Sequence, residues 1–441
     1  MVRHSSGLLR IYIFLVVALY SCCLIFAHST YLVWQDYIPY FKYSGVSVEG
    51  LIVLFIFLVF VSILTPLRIT KVSDIFVWIL LLFLYLPIFI IAIGSKEILS
   101  LQDGLTFLVL LCSFVLIIMP SYCIKSKIVD ANDTCHFYSV NKLLCIFYIL
   151  WIVLFFILIE KYSAIMSFKG LDEVYAQREL GKADSLLYGY AQVYFGYVIS
   201  VGLVALGLFY KKRITILIGI MGCVVLYMIT AERTIFILPI FVYLVYKLMV
   251  SKRQTSWFFI FIVVSSLYFL FVGAFGDYNK ITKDLGFYFL TRVVAIPGLF
   301  FTDYLNYFGE VGYTNFAHAK GFSLFFEPSH ALLHDPLYPE LGRIVARDVY
   351  GINSNSNASF LATDGAAGFG LIGVLIVSVV LSTILIILNL LTKKWPLQLI
   401  IPVMAPMALT LTNGSLFTVM LSFGMLFWIV IFCFYRVKID I

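Results

Sequence analysis

Long apolar runs alternate with short polar connections from one end of the chain to the other. A helix needs about 20 apolar residues to cross the hydrocarbon core of a bilayer. Runs of that order place twelve spans, at about 9–28, 49–65, 74–94, 104–120, 143–160, 186–210, 214–230, 234–250, 255–275, 366–391, 396–412 and 416–435. The alternation in stretches of about ten residues that marks a membrane barrel is not found. The pattern therefore predicts an all-α polytopic membrane protein of about 12 transmembrane helices, one integral membrane domain over residues 1–441.

The connections are uneven. Residues 161–185, "KYSAIMSFKGLDEVYAQRELGKADS", form a moderate loop, and residues 276–365 form a long one between the ninth and tenth spans. Long connections inside a compact fold are usually functional. The long one is rich in aromatics, in "GFYFL", "LFFTDYLNYFG" and "FSLFF". Such stretches are expected to lie flat on the interface or dip into it, with a short re-entrant piece around 287–301.

Composition agrees with the pattern. The chain of 441 residues is 63% hydrophobic and 12% charged, too apolar for a surface that water must wet. The net charge of +7 reads as topology rather than nucleic-acid binding, because the basic residues gather in the turns of one side. With the N-terminus inside, short connections hold 17 Lys and Arg inside against 7 outside. The even span count puts both termini in the cytoplasm. Asp74, Asp130, Asp133 and Asp440 are the acidic residues placed inside. Arg10 and the long apolar run after it make the first span an anchor rather than a cleaved signal. The eight cysteines, Cys22, Cys23, Cys112, Cys123, Cys135, Cys145, Cys223 and Cys433, show no zinc spacing and read as free thiols.

Candidate chemistry collects on the outer side. Arg233, in "LYMITAERTIFILPI", sits in a tight outer connection between two apolar spans. An arginine at that depth needs a partner or a task. It can snorkel or pair with Glu232. It can also hold a diphosphate with its planar fork, helped by the positive end of the helix it opens. Arg178, Arg292, Arg343 and Arg347 are the other outer arginines, the last two one turn apart and on one face if that segment is helical. Asp303, Glu310, Glu327, Asp348 and Asp364 are candidates for a general base, as are His318, His330 and His334. His330 and His334 have the spacing of a metal pair, but "HDP" interrupts any helix there and no third ligand stands out, so no metal is expected.

The stretch "GINSNSNASFLATDGAAGFGLIGVLI" follows, with Asn355 and Asn357 ahead of a helix carrying Gly365, Gly368, Gly370 and Gly373. Asn and Ser cap helices, but one cap does not require the whole run. Amides donate and accept in a small space, which suits sugar hydroxyls and phosphate oxygens. The glycines permit close packing. "NAS", "NDT" and "NGS" at 357–359, 132–134 and 413–415 match a glycosylation sequon by letters alone.

This layout resembles the Wzy-type O-antigen polymerases and, more distantly, the O-antigen ligases of the same superfamily. Three features carry the resemblance: "TAERTIFILPI", with Arg233 in the arginine position of a mid-chain helix; "NSNASFLATDGAAGFGLIG", a polar motif, an aromatic-Leu pair and a Gly-rich helix start; and Arg178 with Gly189 at a spacing some polymerases share. Asparagine stands where the ligases have histidine, which favours a polymerase. Arg292, Arg343 and Arg347 lack a glycine at the corresponding offset.

The resemblance implies a GT-C-like glycosyltransferase of the bacterial inner membrane, with both long loops in the periplasm. It implies an enzyme that joins undecaprenyl-diphosphate-linked repeat units without metal or cofactor, in contact with membrane lipid and a chain-length regulator. Carried onto this chain, Arg233, Arg292 and Asp303 are expected at the reacting centre, and Arg178, Arg343, Arg347, Asn355, Asn357 and His330 on the substrate. The chain has no P-loop or Rossmann glycine fingerprint. A flippase or transporter would place charges within the spans and repeat its halves, and a ligase would transfer to a lipid core instead.

Overall fold

The structure is a computed structural model that describes residues 2–35, 41–124, 140–168, 174–319 and 321–434. Lys125, Lys127, Asp130, Asp133, Cys135, Arg436, Lys438, Asp440 and the 132–134 sequon lie outside the described residues, as does 169–173 of the moderate loop.

Among the described residues all regular structure is helical. The helices are α1 (Val2–Thr30), α2 (Val48–Leu64), α3 (Val72–Gly94), α4 (Leu101–Cys123), α5 (Val140–Tyr162) and α6 (Val174–Leu180). They continue with α7 (Leu186–Phe209), α8 (Arg213–Thr230), α9 (Arg233–Val250), α10 (Gln254–Phe275) and α11 (Lys280–Val311). The last are α12 (Leu341–Asp348), α13 (Leu361–Leu391), α14 (Leu397–Thr410), α15 (Leu416–Leu421) and α16 (Met425–Phe434). Ten helices among the described residues are long and apolar enough to cross a membrane, by length and composition.

Two of them form the interior. The most apolar windows of α3 and α7 are 89% and 78% buried, against 22% for α5 and α10. A helix that is apolar all round must be surrounded, and α3 and α7 are surrounded by protein. The peripheral helices present their apolar side chains outward instead, such as Ile149, Ile152 and Phe156 on α5 and Val264 and Leu267 on α10. Apolar surface of that extent fits lipid, not water.

Hydrogen bonds between elements define two ends of the bundle. At one end Arg10 Nη1 donates to the Ser62 carbonyl at 3.0 Å, and Asn389 binds Ser73 and the Pro120 carbonyl at 2.9 and 3.1 Å. This is the terminal face. At the other end Ser44 N donates to Gly94 O at 2.8 Å, Ser167 N to Met228 O at 3.2 Å and Phe360 N to Leu411 O at 3.1 Å. This loop face carries both long connections.

The largest departure from the sequence reading is α11. The segment 276–365, read as an aromatic loop with a short dip at 287–301, opens with a helix of 32 residues. Its contacts run from the loop face down to Leu81–Tyr85 in the middle of α3. Tyr31 and Tyr268 donate to the Lys283 and Leu285 carbonyls at 2.9 and 2.8 Å. Gly298 presses on the Pro87 carbonyl, and Tyr304 donates to Ser356 O at 2.8 Å. At 1.5 Å per residue, Pro87 is about 10 Å below the end of α3, so the helix enters the bundle from the loop face. It hides in the sequence because Asp284, Arg292 and Asp303 interrupt the apolar run, whose mean hydropathy of 1.5 is the lowest of the ten.

Three of the twelve expected spans fall below the length of the other membrane helices, although α2 matches its expected bounds. α2 has 17 residues and α14 has 14, with Pro402 and Pro406 inside it. The last span breaks at Ser422–Gly424 between α15 and α16, where Gly424 takes a left-handed φ of 81°. Glycine, with no Cβ, adopts that conformation where other residues are strained.

Candidate functional site

A cavity of about 450 Å³ opens on the loop face. Asn355, Asn357 and Asn413 line it, with Ser415, Thr418 and Glu340 and the rings of Tyr190, Phe417 and Phe423. Its size and its mix of apolar walls with a few polar groups are those of a small-ligand site. The Asn-rich stretch is therefore part of a cavity wall. Asn355 reaches it because position 342 is glycine: a Cβ there would fall 2.1 Å from Asn355 Oδ1. Ser356 N donates to Gly342 O at 2.9 Å and fixes the same approach.

Behind this wall lies a buried acidic side chain. Asp364 is fully buried. It accepts from Ser415 Oγ at 2.7 Å and Leu416 N at 2.5 Å, and its Oδ1 lies 3.2 Å from His318 Nε2. A buried carboxylate is tolerated only when so partnered, and here it also sits at the N-terminus of α15. His318 Nδ1 is 2.7 Å from Thr314 Oγ1, so the imidazole is held at both nitrogens. His318 itself lines the cavity.

The glycines after the Asn-rich stretch explain how this network assembles. Residues 312–319 form a strap that docks on the start of α13, with Thr314 N and Asn315 N donating to Ala367 O and Gly368 O at 2.8 and 3.0 Å. Gly370 takes φ 60° in a kink of α13, and a Cβ there would meet Tyr313 Oη at 2.6 Å. Gly368 is pressed by Phe316 and Gly373 by the Gly365 carbonyl. Gly368 and Gly370 thus serve a ring-bearing strap and a kink, while Gly365 and Gly373 let the two helical arms of α13 pack closely.

The second part of the site is an arginine cluster. Arg233 opens α9, and its guanidinium lies 4.2 Å from the Tyr288 ring centre, a cation–π contact. Its Nε is buried without a hydrogen-bond partner. Glu232 hydrogen-bonds Tyr197 and lies within electrostatic reach of Arg178. Burial raises the Glu232 carboxyl above the usual range, while Tyr197 and Arg178 pull it back. Arg178 is positioned by its neighbour Gln177, whose amide donates to the carbonyls of Ile165, Met228 and Ile229 at 2.9, 3.0 and 3.2 Å. Gly181 brings α6 hard against the Ile229 carbonyl. At Gly189, the glycine that the family spacing singled out, a Cβ would meet only Ala183, at 3.7 Å.

One aromatic layer separates the two parts. Tyr197 packs edge-on against Phe423 with ring centres 4.8 Å apart. Phe423 lines the cavity, and Tyr197 faces Glu232 next to Arg233. π-helical turns at Tyr194–Ser200, Gly286–Ala295 and Leu361–Ala366 carry Tyr197, Tyr288 and Asp364. Such turns add a residue per turn and re-aim side chains, and they concentrate at functional sites.

The other expected residues fall elsewhere. Arg292 is exposed on α11, 5.2 Å from the Phe287 ring and one turn beyond Tyr288. Arg347 is bound by Asp335 at 2.6 Å and Asp348 at 2.5 Å, and it holds both carboxyls below the usual range. Arg343 pairs with Glu340 at 3.1 Å. These two arginines do share α12, but each has its own carboxylate. Asp303 accepts from Tyr350 and is absent from the cavity lining. His330 stacks on His334, ring centres 4.3 Å apart, with both rings exposed and outside the lining. No group of three metal-binding side chains forms among the described residues. Asn413, Thr418 and Gln177 carried no signal that would single them out, because hydroxyls and amides at helix ends are common.

Fold and surface together define a multi-pass helical membrane protein with a polar cavity on one face. Compared with known proteins, the chain matches no family model, no curated protein and no solved structure.

Proposed function

We propose that the protein polymerises undecaprenyl-diphosphate-linked O-antigen repeat units at the periplasmic face of the bacterial inner membrane. In this reading a sugar hydroxyl of one carrier attacks the anomeric carbon of the chain on another. The new glycosidic C–O bond forms as the bond to the diphosphate oxygen breaks. Undecaprenyl diphosphate leaves with the electron pair, and the hydroxyl proton passes to a protein base.

The observation that carries the reading is the pairing of a cavity lined by amides and hydroxyls with an arginine cluster one aromatic layer away. Negative charge grows on the leaving diphosphate, and fixed guanidinium groups at that point lower the barrier. Arg233 and Arg178 take that role, and Arg292 is one turn away. His318, oriented by Asp364, replaces Asp303 as the candidate base because it lines the cavity. Arg343 and Arg347, already paired, are structural.

The test is complementation of a polymerase-deletion strain. Arg233→Ala is expected to insert normally and to leave single-unit lipopolysaccharide on a gel. Arg233→Lys restores little, since a point charge reproduces neither the planar fork nor the stacking on Tyr288. Full ladders from Arg233→Ala would falsify the role.

A further inference from the structure

Among the described residues, each ionisable side chain at the cavity already has a protein partner. Glu340 is paired with Arg343 at 3.1 Å. Asp364 is engaged by Ser415, Leu416 N and His318. The rest of the polar and aromatic lining is neutral and includes the amides of Asn355, Asn357 and Asn413, the hydroxyl of Thr418, and the rings of Tyr190 and Phe417. Amides match vicinal hydroxyls, since each can donate and accept at once. Aromatic faces suit the apolar C–H side of a sugar ring, as they suit other partly apolar ligands. A carboxylate brought into this space would lose its water and meet Glu340 and the amide oxygens, with no free cation lining it among the described residues.

The diphosphate chemistry lies elsewhere. Tyr197, which packs on the cavity-lining Phe423, hydrogen-bonds Glu232, which lies within electrostatic reach of Arg178 and precedes Arg233 in the chain. Glycan and carrier thus meet different walls, one neutral and one cationic.

We propose that the cavity is a glycan subsite that takes an uncharged sugar segment, read by Asn355, Asn357 and Asn413 and stacked on Tyr190 and Phe417. The proposal rests on the polymerase reading of this face and adds the substrate class. It assigns Asn413, Thr418, Tyr190 and Phe417 a role in selecting the repeat unit, and it predicts that the sugar residues next to the forming bond carry no carboxylate.

The experiment applies the full-length protein, in lipid nanodiscs, to an array of lipid-free oligosaccharides that includes neutral, amino-sugar and uronic-acid glycans. Wild type is expected to retain neutral glycans and to reject those whose terminal sugar is a uronic acid. Asn413→Leu and Asn357→Leu each lower retention at least tenfold while thermal unfolding stays as in wild type. Retention confined to acidic glycans, or no retention by folded protein, overturns the proposal. Because the wild-type array result stands alone, a variant that fails to fold does not rescue it. Polymerisation is measured separately on lipid-linked units. If neutral glycans bind but no units are joined, the enzymatic reading fails and the subsite stands. If units with a terminal uronic acid are joined efficiently, the subsite fails and the enzymatic reading stands.

Discussion

Gly181→Ala probes whether the arginine cluster depends on the docking of α6. In the structure a Cβ at 181 would sit 2.1 Å from the Ile229 carbonyl oxygen and 2.9 Å from its carbon. Both are backbone atoms at the end of α8, so no rotamer change relieves the clash. Ordinary contact begins at 3.4 Å, so the two elements must part by about 1.3 Å. Overpacking of this kind costs about 1–3 kcal/mol. The retreat also strains the bond from Gln192 Nε2 to Gly181 O, 2.8 Å, and the three bonds that Gln177 makes. Arg178 moves with α6, away from Glu232. A displacement of about 1 Å at a reacting centre lowers turnover roughly 100-fold. On the proposed polymerase function, the assay is the polysaccharide ladder in a complemented deletion strain, alongside membrane abundance of the protein. Gly181→Ala should insert at reduced abundance and give ladders far shorter than wild type. Gly189→Ala is the control, because its nearest neighbour is Ala183 at 3.7 Å, an ordinary contact. Wild-type ladders from Gly181→Ala, or equal damage from the two alanines, refutes the argument that α6 positions Arg178.

Arg347→Ala is expected to lower thermal stability by no more than about 1 kcal/mol at neutral pH, because the network is partly exposed and water screens it. Asp335 and Asp348 titrate below their unfolded values, so their contribution is full above about pH 4 and is lost as pH falls through the depressed values. A melting series of both proteins should show the gap closing only in acid, and a gap that widens there contradicts the pairing. For Glu232 the sign is opposite. Its folded carboxyl titrates above the unfolded one, so its protonated form stabilises the fold and that gain disappears as pH rises through the raised value. Glu232→Gln, which keeps a hydrogen bond to Tyr197, should flatten this decline in a melting series from acid to neutral pH; an unchanged profile argues against a buried, titrating Glu232.

Much of the architecture was legible in the sequence. Apolar runs announce helices through the simple cost of exposing a peptide bond or a charge to lipid. They located α1 to α5, α7 to α10 and α13 within a few residues. They also brought out Arg233 and the Asn-rich stretch, because a charge or an amide run stands out against an apolar background. α11 escaped because charged residues interrupt its apolar run and leave it the lowest mean hydropathy of the ten, 1.5, and the break at Gly424 escaped because one glycine in an apolar run has many uses.

Composition and hydropathy, then, determined that the chain is a bundle of membrane-length helices, since burial in lipid is a local property that each segment expresses by itself. Only the tertiary structure decided which polar groups meet. Asp364 finds His318 across 46 residues and Ser415 across 51, Asn355 and Asn413 share one cavity, and Arg347 is taken up by Asp335 and Asp348. Such partners are chosen by helix packing and by π-helical turns that rotate side chains. A polar residue's need for a partner is written in the sequence, but the identity of that partner depends on how distant helices pack.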